Sequence, residues 1–100
     1  MSRKRLTRTV AAIPVVKGFR IIGNLKRKDQ VTLNIEEWEA IRLMDYCQLK
    51  QEEAAIRMNV SRPTVTRIYE QARIKIAKSL TEGIHLVIAG GSYETELQNQ

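Results

Sequence analysis

The sequence predicts a single, mainly α domain of three helices with a helix-turn-helix at its centre, flanked by short N- and C-terminal β-strands. Three observations carry this expectation. Apolar residues recur at helical spacing over residues 35–47 and again over 61–80. Between them, Gln51 to Ser61 joins two helical patterns through a turn built on Asn59. Runs rich in β-branched residues stand near both ends, at 9–22 and 84–89, and are punctuated by Pro14, Gly18, Gly23 and Gly90-Gly91.

In chain order, Thr9–Ile13 reads as a short strand followed by an irregular extended segment, and residues 24–30 read as an exposed polar and basic loop. Asn34 with Glu37 three residues on resembles a capping box, so a helix should begin there. Ala40, Leu43, Met44 and Cys47 fall at i, i+3, i+4 and i+7, with Trp38 and Ile41 widening the stripe; this predicts a core helix over 35–47 with Cys47 as a small buried hydrophobe. The last helix runs to Leu80 and stops within a few residues, because Gly83 suits a left-handed helix end. Ile84–Ala89 reads as a strand decorated by His85, able to pair with the apolar N-terminal segment within a chain or across a dimer. The domain is expected over 9–91, with a basic arm at 1–8 and a frayed polar tail at 92–100.

The segment from Gln51 to Glu70 meets the demands of two helices crossing steeply through a tight turn. A small residue on the inner face of the first helix lets the second approach, and Ala55 supplies it. The chain must then leave through a left-handed conformation, which Asn59 tolerates better than most residues. Val60 plugs the space between the helices, Ser61 caps the next one, and Pro63 sits in a first turn where its missing amide hydrogen costs nothing. Val65, Ile68, Tyr69, Ala72, Ile76 and Leu80 return to the core. Projection at about 100° per residue puts Pro63, Arg67, Glu70, Gln71, Ile74 and Lys78 on the far side, flanked by Thr66 and Arg73.

Charge is segregated. The net charge of +6 divides into +8 over residues 1–30, −3 over 31–60, +4 over 61–80 and −3 over 81–100. Two basic segments facing a polyanion would produce this pattern, and so would solvated faces of a basic protein. Cys47 and His85 are the only residues of their kinds, too few for a disulfide framework or a tetrahedral zinc site, and the setting expected is reducing and cytoplasmic. No apolar run approaches the ~20 residues that cross a bilayer, so no membrane partner is expected. The lone His and Cys lie far apart and no Gly-rich phosphate loop is present, so neither an enzyme nor a cofactor is expected.

Leu49–Leu80, with Glu53-Ala54-Ala55 and Val60-Ser61-x-x-Thr64-Val65-x-Arg67, resembles the helix-turn-helix of region four of bacterial sigma factors. More closely, Arg8–Gly91 resembles the small prokaryotic proteins grouped as domain-of-unknown-function family 134. The resemblance runs through Glu39-Ala40-Ile41-Arg42-Leu43-x-Asp45, Gln51-Glu52-Glu53-Ala54-Ala55, Met58, Ala72-Arg73-x-Lys75-x-Ala77 and Gly90-Gly91. It implies a fold of the sigma-factor region-four type and DNA binding, without a target. Asn59 replaces the usual turn glycine, and Thr7 and Ala11 stand where many relatives have cysteines, so a thiol or metal role there is not carried over. Some relatives resemble a fusion to a domain associated with nitrogenase cofactor assembly, which is not expected in these 100 residues.

The expected function is sequence-specific recognition of double-stranded DNA by a transcriptional regulator acting as a homodimer. Arg62, Pro63, Thr66, Arg67, Glu70 and Gln71 would face the major groove, with Arg62 and Arg67 as candidates for base or phosphate contact and Gln71 for adenine. Thr66 suits a phosphate or a thymine methyl. Glu70 either accepts from cytosine or orients Arg67. Lys75 and Lys78 are candidates for tracking phosphates. Arg3, Lys4 and Arg5, with Arg8, form either a backbone or minor-groove arm or a solubilising tail. The competing expectation is a protein-interaction module contacting RNA polymerase or another partner, favoured by the outward apolar Ile74.

Overall fold

The computed structural model describes residues 8–23 and 29–95. The basic arm with Arg3, Lys4 and Arg5, most of the 24–30 loop and the end of the polar tail lie outside the described residues.

Three helices form the body: α1 at Ile35–Ile41, α2 at Gln51–Met58 and α3 at Arg62–Glu82. Among the described residues five short strands surround them: β1 at Arg8–Val10, β2 at Gly18–Phe19, β3 at Gln30–Leu33, β4 at His85–Ile88 and β5 at Tyr93–Thr95. The mainly α architecture with terminal strands is as the sequence predicts. β4 is the centre of a three-stranded sheet, antiparallel to β2 and parallel to β3. A parallel pair needs a long crossover, and here the crossover from β3 to β4 is the whole three-helix unit. β1 and β5 form a separate parallel pair with Arg8 opposite Tyr93.

Several elements depart from the sequence reading. The N-terminal strand starts at Arg8 and ends at Val10, and only Gly18 and Phe19 of the later apolar segment pair with the 84–89 region. β3 is an unforeseen strand, and its first residue, Gln30, was assigned to the loop. Tyr93–Thr95, assigned to the frayed tail, is a strand whose Thr95 is buried.

The α1 helix begins with the predicted capping box: the Asn34 side chain accepts from the Glu37 amide at 2.9 Å, and Glu37 Oε1 accepts from the Asn34 amide at 3.0 Å. It continues not as α-helix to residue 47 but as a π-helical turn over Arg42–Tyr46, closed by the Cys47 amide on the Arg42 carbonyl at 2.8 Å. The wider turn breaks the 3.6-residue phase. Leu43 stays fully buried while Cys47 swings out to solvent, correcting the expectation of a buried thiol.

Two apolar clusters result. One lies beneath the helical corner, from Ala40, Leu43, Ala54, Ala55, Met58, Val65 and Ile68; the other joins Val10, Leu33, Ile35, Leu86 and Ile88 to Ala72 of α3. Ile76 only borders the second cluster, and Leu80, expected in the core, is 81% exposed, at the rim of a groove edged by Phe19, Ile21 and Ile22.

Candidate nucleic-acid interface

The corner between α2 and α3 has the geometry its residues demand. Asn59 sits at φ 57°, ψ 46°, its amide donates to the Ile56 carbonyl at 3.1 Å, and the Val60 amide reaches the Ala55 carbonyl at 3.0 Å. These two bonds make a Schellman motif, with Val60 folded back onto the cluster that holds Ala55. Ser61 then caps α3: its hydroxyl accepts from the Thr64 amide at 3.3 Å and donates to the Thr64 hydroxyl at 2.8 Å. Ala55 is buried at the crossing, where a larger side chain would separate the helices.

The corner projects the first half of α3 outward. Arg62, Pro63, Arg67, Glu70 and Gln71 are exposed and Thr66 is half-buried. Arg62 spans the corner, with Nε donating to Gln51 Oε1 at 3.2 Å and the guanidinium 3.3 Å from Glu52. Both ends of that ion pair are well exposed, so breaking it costs little. Thr66 donates to the Arg62 carbonyl at 2.9 Å, which turns its hydroxyl toward the helix and leaves its methyl outward. Among the described residues Arg67, Glu70 and Gln71 have no hydrogen-bond or ion-pair partner, so Glu70 does not orient Arg67. Lys78 is exposed and lies 3.5 Å from Glu82.

Lys75 is placed differently. Its Nζ donates to Glu37 Oε1 at 2.7 Å, on the oxygen that also closes the capping box of α1. Lys75 is thus a tie between α3 and α1, and it is withdrawn from the outward face.

Three buried carboxylates lie on α1. Glu37 holds Lys75. Glu36 accepts from the Ser92 amide at 2.7 Å and lies 3.6 Å from Arg8. Glu39 binds Arg42 through both oxygens at 2.7 and 2.9 Å and accepts from the Ala11 amide at 2.9 Å. Gly91, at φ 106°, fits this anchorage closely: an added Cβ would lie 2.6 Å from Glu36 Oε1. The neighbouring Gly90 carbonyl accepts from the Ile35 amide at 2.9 Å. A run of Glu at the start of a helix next to distant Gly-Gly is the only sequence trace of these contacts.

Asp45, in the π turn, accepts from the Tyr69 hydroxyl at 2.6 Å and lies 3.5 Å from Arg73, whose guanidinium stacks 5.2 Å from the Tyr69 ring centre. The hydrogen bond to Asp45, then burial, then the Asp45 charge push the Tyr69 phenol above its ordinary 10.0, against the opposing Arg73 charge. The fold therefore favours the protonated phenol. Its contribution is fully present below pH 10 and is lost as pH rises through the folded value. Ultraviolet titration should show a tyrosine component ionising above the ordinary phenol range, and Tyr69→Phe should remove it; its persistence would refute the assignment.

No helix among the described residues is long and apolar enough to cross a membrane, and those residues hold no cluster of three potential metal ligands.

Residues 1–96 match the family model described as protein of unknown function DUF134. A UPF0251 protein of Syntrophomonas wolfei is 47% identical over 94 residues, covering 93% of this chain and 72% of that protein. One from Chloroherpeton thalassium is 43% identical over 98 residues, covering 96% and 64%. A third, from Thermoanaerobacter sp., is 42% identical over 101 residues, covering 100% and 89%. The chain thus spans as little as 64% of the length of these relatives. No solved structure matches it. With nearly its whole length matched by the model and aligned to such relatives, the chain belongs to the DUF134 family.

Proposed function

We propose that this protein binds double-stranded DNA sequence-specifically, as a transcriptional regulator acting in the cytoplasm and not as an enzyme. The observation that carries the reading is the helical corner, which presents the uncompensated Arg67 and Gln71 on the exposed first half of α3. A helix of this kind enters the major groove with its N-terminal residues against base edges. Arg67 suits guanine and Gln71 adenine. Arg62 is released from its exposed pairs to a phosphate, and Lys78 extends the basic track. Reading a two-fold site as a homodimer doubles the small footprint of one corner.

Selection of bound sequences from random duplexes, followed by titration of the selected site, tests the reading. Arg67→Ala should weaken binding about 10–100-fold, the equivalent of one lost bidentate contact, whereas Lys75→Ala should weaken folding and leave intrinsic affinity nearly unchanged. An Arg67→Ala protein with full affinity for the selected site would refute the assignment. Deleting residues 2–5 should flatten the dependence of affinity on salt if the basic start lies along the backbone; an unchanged slope would make it a solubilising tail.

A second reading, a module that docks on RNA polymerase or another protein, is favoured by Ile74, which is 59% exposed on α3. Failure to enrich any sequence, together with retention on polymerase, would support it.

A further inference from the structure

The second half of α3 is built unlike the first. Ile74 is 59% and Leu80 81% exposed, and the exposed Ala77 lies midway between them. An apolar groove runs beside them, between α3 and the end of α1, with Ile41, Ile76 and Ala77 in its wall. At Leu80 it adjoins a second groove edged by Phe19, Ile21 and Ile22. We propose that this face binds a second copy of the chain, with the two α3 helices packed antiparallel about a two-fold axis at Ala77.

The arrangement is self-complementary. A two-fold at Ala77 sets Ile74 of each copy against Leu80 of the other, because both lie three residues from the axis. The small residue at the crossing lets the helices approach closely. Two of the charges bordering the face are compensated within the chain, Arg73 by Asp45 at 3.5 Å and Lys78 by Glu82 at 3.5 Å, while Arg20 at the edge of the second groove is exposed. Along α3, where the helices cross, a protein of net charge +6 can therefore meet itself without a large like-charge penalty.

The size also fits. A standard interface removes about 800 Å² from each partner, roughly a tenth of a small protein's surface. Of the 7243 Å² accessible here, this face carries four large apolar side chains that are each more than half exposed: Phe19, Ile22, Ile74 and Leu80.

The choice of a two-fold at Ala77 rests in part on the DNA-binding reading. The outward segment 62–71 is centred between ten and eleven residues from Ala77. At 1.5 Å per residue the two copies' reading segments stand about 32 Å apart, close to the ~34 Å of one duplex turn. Ile74 shares the side of α3 that carries Arg67 and Gln71, so partner and duplex are separated along the helix and not around it: a partner α3 ending at Glu82 reaches only to about residue 72 and leaves 62–71 uncovered.

Sedimentation and light scattering without DNA, across a concentration series, should give twice the 11.5 kDa chain mass. Ala77→Glu and Leu80→Glu, both at exposed positions, should keep the helical circular dichroism and raise the dimer dissociation constant by about 100-fold or more, because each buries an unpaired charge. In a Cys47→Ser background, Ala77→Cys should cross-link to itself, and Ile74→Cys mixed with Leu80→Cys should cross-link to each other, as antiparallel register requires. A wild-type protein monomeric at about 100 µM, Glu variants that dimerise as well as wild type, or no Ile74→Cys to Leu80→Cys product would each overturn the proposal. A monomer that still binds selected DNA refutes the dimer face alone, and a dimer that binds no DNA refutes the DNA reading alone.

Discussion

Glu39→Ala should lower the free energy of unfolding by about 3–5 kcal/mol, the range for removing one partner of a buried ion pair. Glu39 is 1% exposed, and both its oxygens are occupied by the Arg42 guanidinium at 2.7 and 2.9 Å, with the Ala11 amide added at 2.9 Å. Deleting the carboxylate takes two charge-assisted bonds from the Arg42 guanidinium, leaves the Ala11 amide without its acceptor, and frees the segment after β1 from α1. Domains of this size are stable by about 5–15 kcal/mol, so the variant should be partly unfolded on mild heating. Urea denaturation measures the loss. Glu39→Gln, which keeps an acceptor for the Ala11 amide, should lose less. A double-mutant cycle with Arg42→Ala should show strong coupling, and a loss below about 1 kcal/mol for Glu39→Ala would contradict the account.

Leu43→Ala should cost about 2–5 kcal/mol through lost burial and the cavity left behind. Leu43 is fully buried in the cluster shared by α1, α2 and α3, as the helical stripe predicts, whereas the π turn carries Cys47 out of that stripe. The loss should appear as a lower denaturation midpoint with a similar slope. Cys47→Ala, four residues on but exposed, should stay within about 0.5 kcal/mol of wild type. Equal losses at the two positions would mean that the helix phase is not the one described.

The contrast between these positions shows what a sequence reveals. The α2–α3 corner was legible because its requirements are local: Ala55, Asn59, Ser61 and Pro63 each do their work within a few residues. The Asn34–Glu37 box was legible for the same reason. Cys47 was misplaced because the π turn adds a residue to the helical count, and no side chain in Arg42–Tyr46 announces it. β3 escaped notice because Gln30 and Thr32 are exposed and only Leu33 is buried, a pattern too short to separate from a loop. The burial of Glu36 and Glu39 and the tie from Glu37 to Lys75 left no mark in the sequence, because Ser92, Ala11 and Lys75 come from distant segments. The same blindness made Lys75 a candidate for tracking phosphates: spacing does not show that a flexible lysine has a buried carboxylate within its reach.

The parallel pairings impose a kinetic consequence on this chain. β3 joins β4 only after all three helices lie between them, and Arg8 pairs with Tyr93 across nearly the whole sequence. Each closure carries a long-loop entropy that must be met before its hydrogen bonds return anything, so the helices can gather around Leu43 well before the sheet registers. Amides of β4 and β5 should then be the last to gain protection during refolding, whereas those of α2 and α3 gain it early. The strands act late, as a clasp that fixes the corner's orientation after its shape has formed.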